Sequence, residues 1–182
     1  MATFIVYCQS AGLNVEPNNP SHGRFDLIAR CVSSALWLDK GLRENAIHFY
    51  LAKSRSALSF SRKIRQVSPD ERSILMWVEK IFSGRSNPGI ALEGISFDEL
   101  LKRFEKEKVY LLDTKGKDFF GEKPSKDSVF ILSDNLPLPP GILQKLKSLK
   151  IKTLSIGPKS YLSSHAISFA NIALDRFENL RL

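Results

Sequence analysis

Apolar residues fall along this chain in two alternating rhythms. Short runs at Thr3–Cys8, Ala46–Ala52, Lys108–Leu112, Val129–Leu132 and Ile151–Ile156 have the length and the β-branched and aromatic content of strands. Weaker candidates lie at Ala57–Phe60 and Ile90–Leu92. Between these runs the spacing changes to three and four. Phe25, Ile28, Val32, Ala35 and Leu36 form one stripe of a helix from about Arg24 to Leu38. Ser68, with Pro69 behind it and Glu71 three residues on, predicts an N-cap and capping box for a second helix. Ser96 and Glu99 repeat the device for a third, before Leu100, Leu101 and Phe104. A fourth helix follows Pro139-Pro140, with Ile142, Leu143, Leu146 and Leu149 on its apolar face, and a fifth spans about Ser164 to Glu178. Helices thus alternate with strands, which predicts an α/β sandwich around a largely parallel sheet. The polar stretch 113–127, with its Gly and Pro, reads as a flexible connection, and 83–89 as the best internal break. No repeat is present, and a length of 182 residues favours a single domain, 1–182.

Composition narrows the class. The chain is 43% hydrophobic and 25% charged, ordinary for a globular protein. No apolar run reaches the roughly 18 residues of a membrane span. The opening "MATFIVYCQS" reads as a first strand, since it lacks a basic leader and a cleavage site. Cys8 and Cys31 form no CxxC pair, so they read as small buried hydrophobes in a reducing, cytoplasmic setting. The formal net charge of +8 raises the odds of a polyanionic partner, nucleic acid above membrane. Its densest stretch is "KSRSALSFSRKIR", Lys53–Arg65, with five basic residues and no acid.

Several chemistries are excluded. There is no G-x-S-x-G elbow, and His22, His48 and His165 have no evident nucleophile partner. No HExxH motif or Cys/His cluster points to a metal. The turn "LSIGPKSYLSSHA", residues 154–166, joins a strand to a helix but has neither G-x-G-x-x-G nor a Walker sequence. Three strands nevertheless end in polar or Gly/Pro loops, at Leu112-Asp113, Leu132-Ser133-Asp134 and Ile156-Gly157-Pro158. Ligands of open α/β sheets sit outside such carboxyl ends, where backbone edges can hold an adenine and a zwitterion; ordinary βα turns are the alternative. In "GRFDLIAR", Asp26 and Arg30 can serve the helix dipole and a surface ion pair. Equally, Arg24 or Arg30 can meet phosphate while Asp26 meets a base edge or a proton.

Taken in order, "GRFDLIARCVSSAL", "VSPDER", "NPGI", "VFILSD", "LSIGP" and "SSHAISFANIALDR" resemble the archaeal tRNA pseudouridine-54 N1-methyltransferases and their bacterial relatives, members of the SPOUT superfamily. The resemblance runs from residue 2 to about 176. It implies a homodimer, a C-terminal deep trefoil knot, S-adenosyl-L-methionine as cofactor and tRNA as partner, with no membrane and no metal. By position it assigns the cofactor to Leu112, Ser133, Ile156, Gly157, Pro158, Lys159, Ser160, Tyr161 and Ala166. It assigns catalysis to Asp26 and Arg24, with Asp26 receiving the N1 proton, and RNA contacts to Arg24, Arg30, Asp70 and Arg72. A relative acting on ribosomal RNA pseudouridine, or a SPOUT-fold RNA-binding protein without activity, is the alternative. The chain departs from the family's Gly-Asp-His-x-Gly at Ser133-Asp134-Asn135-Leu136-Pro137, which puts a side chain beside the expected cofactor. The family's cysteine near the last helix is Ala166 here, and its His-Asn pair appears as Ala170-Asn171.

Overall fold

The structure, a computed structural model, describes residues 1–179. Seven strands make one sheet: β1 (Thr3–Cys8), β2 (Ala46–Leu51), β3 (Ser56–Ser61), β4 (Ile90–Gly94), β5 (Val109–Asp118), β6 (Val129–Ser133) and β7 (Lys152–Ser155). Their order across the sheet is β4-β3-β2-β1-β6-β5-β7. The pairs β1–β2, β1–β6, β5–β6 and β5–β7 are parallel, whereas β2–β3 and β3–β4 are antiparallel. Both faces are covered, as a parallel sheet requires. Every residue of central β1 is buried, which explains its unbroken apolar run.

The covering helices are α1 (Phe25–Leu36), α2 (Glu71–Phe82), α3 (Phe97–Leu101), the single turn α4 (Phe119–Glu122), α5 (Pro140–Ser148) and α6 (Ser163–Asn179). One face of the sheet, with Phe4, Val6, Phe49, Phe60 and Phe130, packs on the stripes of α1, α2 and α6. The other, with Ile5, Tyr7, Tyr50 and Ile131, packs on α3 and α5 through Phe97, Leu100 and Leu146. α6 is tied to α1 and β2 by buried polar links. Asn45 Nδ2 donates to Asn171 Oδ1 at 2.9 Å, and Asn171 Nδ2 donates to the Ser34 carbonyl at 2.9 Å.

The expected stripe of α1 is entirely buried, and the capping box of Ser96 and Glu99 opens α3 as predicted. Two expectations need correction. α2 begins at Glu71 and not near Ser68. Its cap is Asp70, whose Oδ1 accepts from Ser73 N at 2.8 Å, so Pro69 stays outside the helix. The stretch 113–127 is not a free connection. β5 leaves β7 after Leu112, bulges through residues 113–116 and pairs with it again at Lys117 and Asp118, and α4 follows. The second contact depends on Gly116. A Cβ there would lie 2.4 Å from the Leu154 carbonyl carbon, so only glycine lets the strands meet.

Buried ionisable groups follow their surroundings. His48, on β2, shares a hydrogen bond of 2.8 Å between Nδ1 and Ser59 Oγ. Burial pushes its pKa down to about 4; the nearby Arg103 pushes the same way and Glu93 opposes. Burial likewise raises the Cys31 thiol to about 12, which leaves it inert.

Candidate active site

The parallel half of the sheet sends three loops to one end, and they surround a cavity of about 340 Å³. β5 contributes Leu112 and, from its bulge, Asp113 and Thr114; the end of β6 and the loop after it contribute Ser133 to Leu138; and the turn after β7 contributes Ile156, Gly157, Lys159, Ser160 and Tyr161. Ser163 and Ala166 close it from the start of α6, and Leu143 reaches it from α5. Of the nine residues that resemblance assigned to the cofactor, eight therefore meet in one place. Pro158 is the exception, exposed and outside the lining.

The walls are fixed by local bonds. Ser155 Oγ donates to the Gly157 carbonyl at 2.9 Å and accepts from Gly157 N at 3.2 Å, which closes the turn on itself. Gly157 has φ +152°, and a Cβ there would lie 2.8 Å from Tyr161 Oη. Ser163 Oγ donates to the Ser133 carbonyl at 2.7 Å, joining the start of α6 to β6. Asp134 is buried, and its carboxylate accepts from Gln9 N at 2.7 Å, Ser10 N at 3.2 Å and Leu136 N at 2.9 Å. It thus locks the end of β1 to the loop after β6. The sequence places Asp134 in a candidate ligand loop without giving it a role, and offers no signal for Ser163.

A charged cluster lies at the start of α1. Arg24 sits in left-handed backbone at φ 61°, directly after Gly23 at φ 59°, and this turn aims its guanidinium along the helix start. Arg24 Nε donates to Asp26 Oδ1 at 3.0 Å, Arg30 Nη2 donates to Asp26 Oδ2, and Arg30 Nη1 lies 3.6 Å from Glu71 Oε1. Partial burial raises the Asp26 pKa, but the hydrogen bonds and charges of Arg24 and Arg30 outweigh it and leave the carboxyl below its usual range. The hydrogen bond to Asp26 raises the Arg24 pKa, with burial opposing it; none of Arg24, Asp26 and Arg30 lines the cavity. Arg24, Asp26 and Arg30 thus form one unit. Asp70 is occupied as the α2 cap, and Arg72 is exposed in the first turn of that helix. Among the described residues, no three His, Cys, Asp or Glu side chains are grouped to hold a metal ion, and no helix is long and apolar enough to cross a membrane.

Comparison with known proteins adds an independent line. The model of a family described as SAM-dependent RNA methyltransferases matches residues 1–179. A tRNA (pseudouridine(54)-N(1))-methyltransferase of Methanosarcina acetivorans is 32% identical over 171 residues, 87% of this chain and 81% of that protein. One from Methanococcus vannielii is 31% identical over 198 aligned positions, covering 98% of this chain and all of its own. Among solved structures, Archaeoglobus fulgidus Nep1 bound to S-adenosylhomocysteine superposes with a TM-score of 0.72 over 98% of this chain and 99% of its own. At 16% identity that likeness concerns the fold.

Proposed function

The chain belongs to the family of SAM-dependent RNA methyltransferases, and from that premise we propose that it methylates N1 of pseudouridine 54 in tRNA, with S-adenosylmethionine as donor. One observation carries the proposal: eight of the nine residues expected to hold the cofactor line one cavity of cofactor size at the carboxyl ends of the parallel strands, and the chain also holds a carboxylate between two guanidinium groups outside that lining. A volume of about 340 Å³ is within the roughly 300–1,000 Å³ of small-molecule sites. The lining suits this cofactor, with apolar walls from Leu112, Leu138 and Ile156, bare backbone at Gly157, and carboxylates at Asp113 and Asp134 for a guest that carries positive charge. Ser133 lines the same space, so its side chain limits how closely a guest approaches β6. When bound, S-adenosylmethionine supplies a methyl group on a sulfonium, ready for in-line displacement.

The chain's own residues would do the rest. The target base must leave its stack, at a cost of a few kcal/mol. Arg24, Arg30 and Arg72 would hold the flanking phosphates. As the N1–methyl bond forms, the N1 proton must depart, and Asp26 is the acceptor we assign. The arginines keep Asp26 ionised at neutral pH but also make it a weak base. Proton transfer is then favourable only because the same guanidinium groups stabilise the anionic ring. Analysis of position-54 nucleoside mass in tRNA from cells lacking the gene tests the assignment. Loss of one methyl is expected, and an unchanged methyl level overturns it. Transfer to small-subunit ribosomal RNA in preference to tRNA would move the substrate, and absence of S-adenosylmethionine binding by calorimetry would favour the inactive RNA-binding alternative.

The same reading extends to the whole molecule. We assign the section from β5 to α6 to a deep trefoil knot, supported by the crossing of β6–α5–β7 over β5. A homodimer is supported by the apolar side chains of Leu162 and Ile172, which stand 57% and 59% exposed. The chain would act as one domain in the cytoplasm, where tRNA is processed.

A further inference from the structure

The basic run Lys53–Arg65 splits in space. Lys53 donates to the Ser10 carbonyl at 2.8 Å beside the cavity, whereas Arg62, Lys63 and Arg65 emerge at the far end of β3. There they line a second hollow with Ile64 and Pro88, apart from the site above. All three cations are exposed. Arg62 pairs with Glu44, but Lys63 and Arg65 have no carboxylate within 4 Å among the described residues.

This turn is built more firmly than a solvated loop requires. Asn87 is buried at 6% exposure and clamps Arg65 from both sides: its Nδ2 donates to the Arg65 carbonyl at 2.9 Å, and its Oδ1 accepts from Arg65 N at 3.3 Å. Gly89 lies flush against the next backbone, where a Cβ would sit 2.0 Å from Ile64 N. Gln66 occupies left-handed backbone at φ 57°, and its carbonyl accepts from Trp77 Nε1 at 2.7 Å. The platform leads directly to the catalytic cluster. Residues 66–70 run from Arg65 to the start of α2, Ser33 Oγ donates to the Pro69 carbonyl at 2.5 Å, and Glu71 meets Arg30. Exposed Arg72 lies in the first turn of α2, just beyond this stretch.

We propose that the turn Arg62–Arg65 is a phosphodiester-docking subsite, taking the RNA backbone at a distance from the methylated base. The inference rests on an RNA substrate for the site described above. A backbone turn held this firmly favours a polyanion of fixed shape, since little loop entropy remains to be lost on contact. They carry no base readout, so the subsite sets register and affinity and not sequence choice.

The test is binding of full-length tRNA across a salt series, with methyl-transfer kinetics on the same proteins. For Lys63→Ala/Arg65→Ala we expect about tenfold weaker tRNA binding, a higher KM and an unchanged kcat. The log–log salt slope should become shallower by about two, one for each cation removed. Calorimetric affinity for S-adenosylmethionine should match the wild type, which checks that the fold is intact. Lys63→Arg/Arg65→Lys should restore the slope. Unchanged tRNA affinity and slope in the alanine variant would overturn the subsite. A wild-type protein that binds tRNA with the full slope but transfers no methyl would instead sink the assigned activity and leave the subsite standing.

Discussion

At the scale of single residues, the site depends on groups that have no freedom to move. Gly157→Val would drive Tyr161 out of the cavity wall, because the first added carbon already meets Tyr161 Oη at 2.8 Å. Cofactor affinity by calorimetry should fall at least tenfold, with little loss of stability. Asp26→Asn should lower kcat far more than cofactor affinity, and full turnover in that variant would remove Asp26 as the proton acceptor. Asp26 also carries a pH signature. Its folded pKa lies below the ordinary carboxylate value of about 3.9, so its stabilisation is present above that pH and is lost as pH falls through the folded pKa. The stability gap between wild type and Asp26→Asn, followed by urea unfolding, should therefore narrow as pH drops below about 4. His48 acts in a higher window. Held at about 4 in the fold against about 6.5 unfolded, it makes stability rise with pH between those values, and His48→Gln should flatten that rise.

At the scale of elements, the readable parts were those whose local chemistry agrees with their place in the fold. The α1 stripe, the Ser96–Glu99 box and the apolar runs of β1, β2 and β6 needed no tertiary help to be recognised. The start of the second helix is ambiguous in the sequence because Ser68 and Asp70 both offer a capping oxygen, and α1 fixes the approach to it through Ser33 Oγ, which donates to the Pro69 carbonyl. Here Ser68 N is taken by Ser73 Oγ, and Asp70 caps. The β5 bulge was invisible because "DTKGKD" has the composition of a loop, and its return to β7 depends on one glycine. Much of the cofactor-side assignment came through family resemblance, since no spacing rule marks a cavity lined by backbone. Gly116→Ala tests the bulge. A backbone contact at 2.4 Å has no flexible side chain to yield, so an overpacking loss of about 1–3 kcal/mol is expected by denaturant unfolding. Asp113 and Thr114 would be displaced from the cavity with it.

At the scale of the whole molecule, the two halves of the sheet do different work. The antiparallel strands β2, β3 and β4 are joined locally and carry the basic turn, whereas the parallel strands β5, β6 and β7 carry the cavity. α1 and α6 bridge them, and the Asn45–Asn171 link is the buried polar join. Replacing Asn171 with Leu would leave one buried Asn45 N–H and the Ser34 carbonyl without their partner, and should cost about 1–3 kcal/mol in denaturant unfolding.

Central β1 has a consequence for how the protein must be made. Its two neighbours are β2, complete at Leu51, and β6, complete at Ser133. A ribosome adding about 5–20 residues per second leaves one edge of this strand, apolar from Phe4 to Cys8, unpaired for several seconds. Such an edge is a template for other chains, so the nascent polypeptide is most prone to aggregate before its last third emerges. Truncation ahead of β6 should yield inclusion bodies and not a soluble half-sheet, and a chaperone that shields the first strand should raise the yield of the full chain.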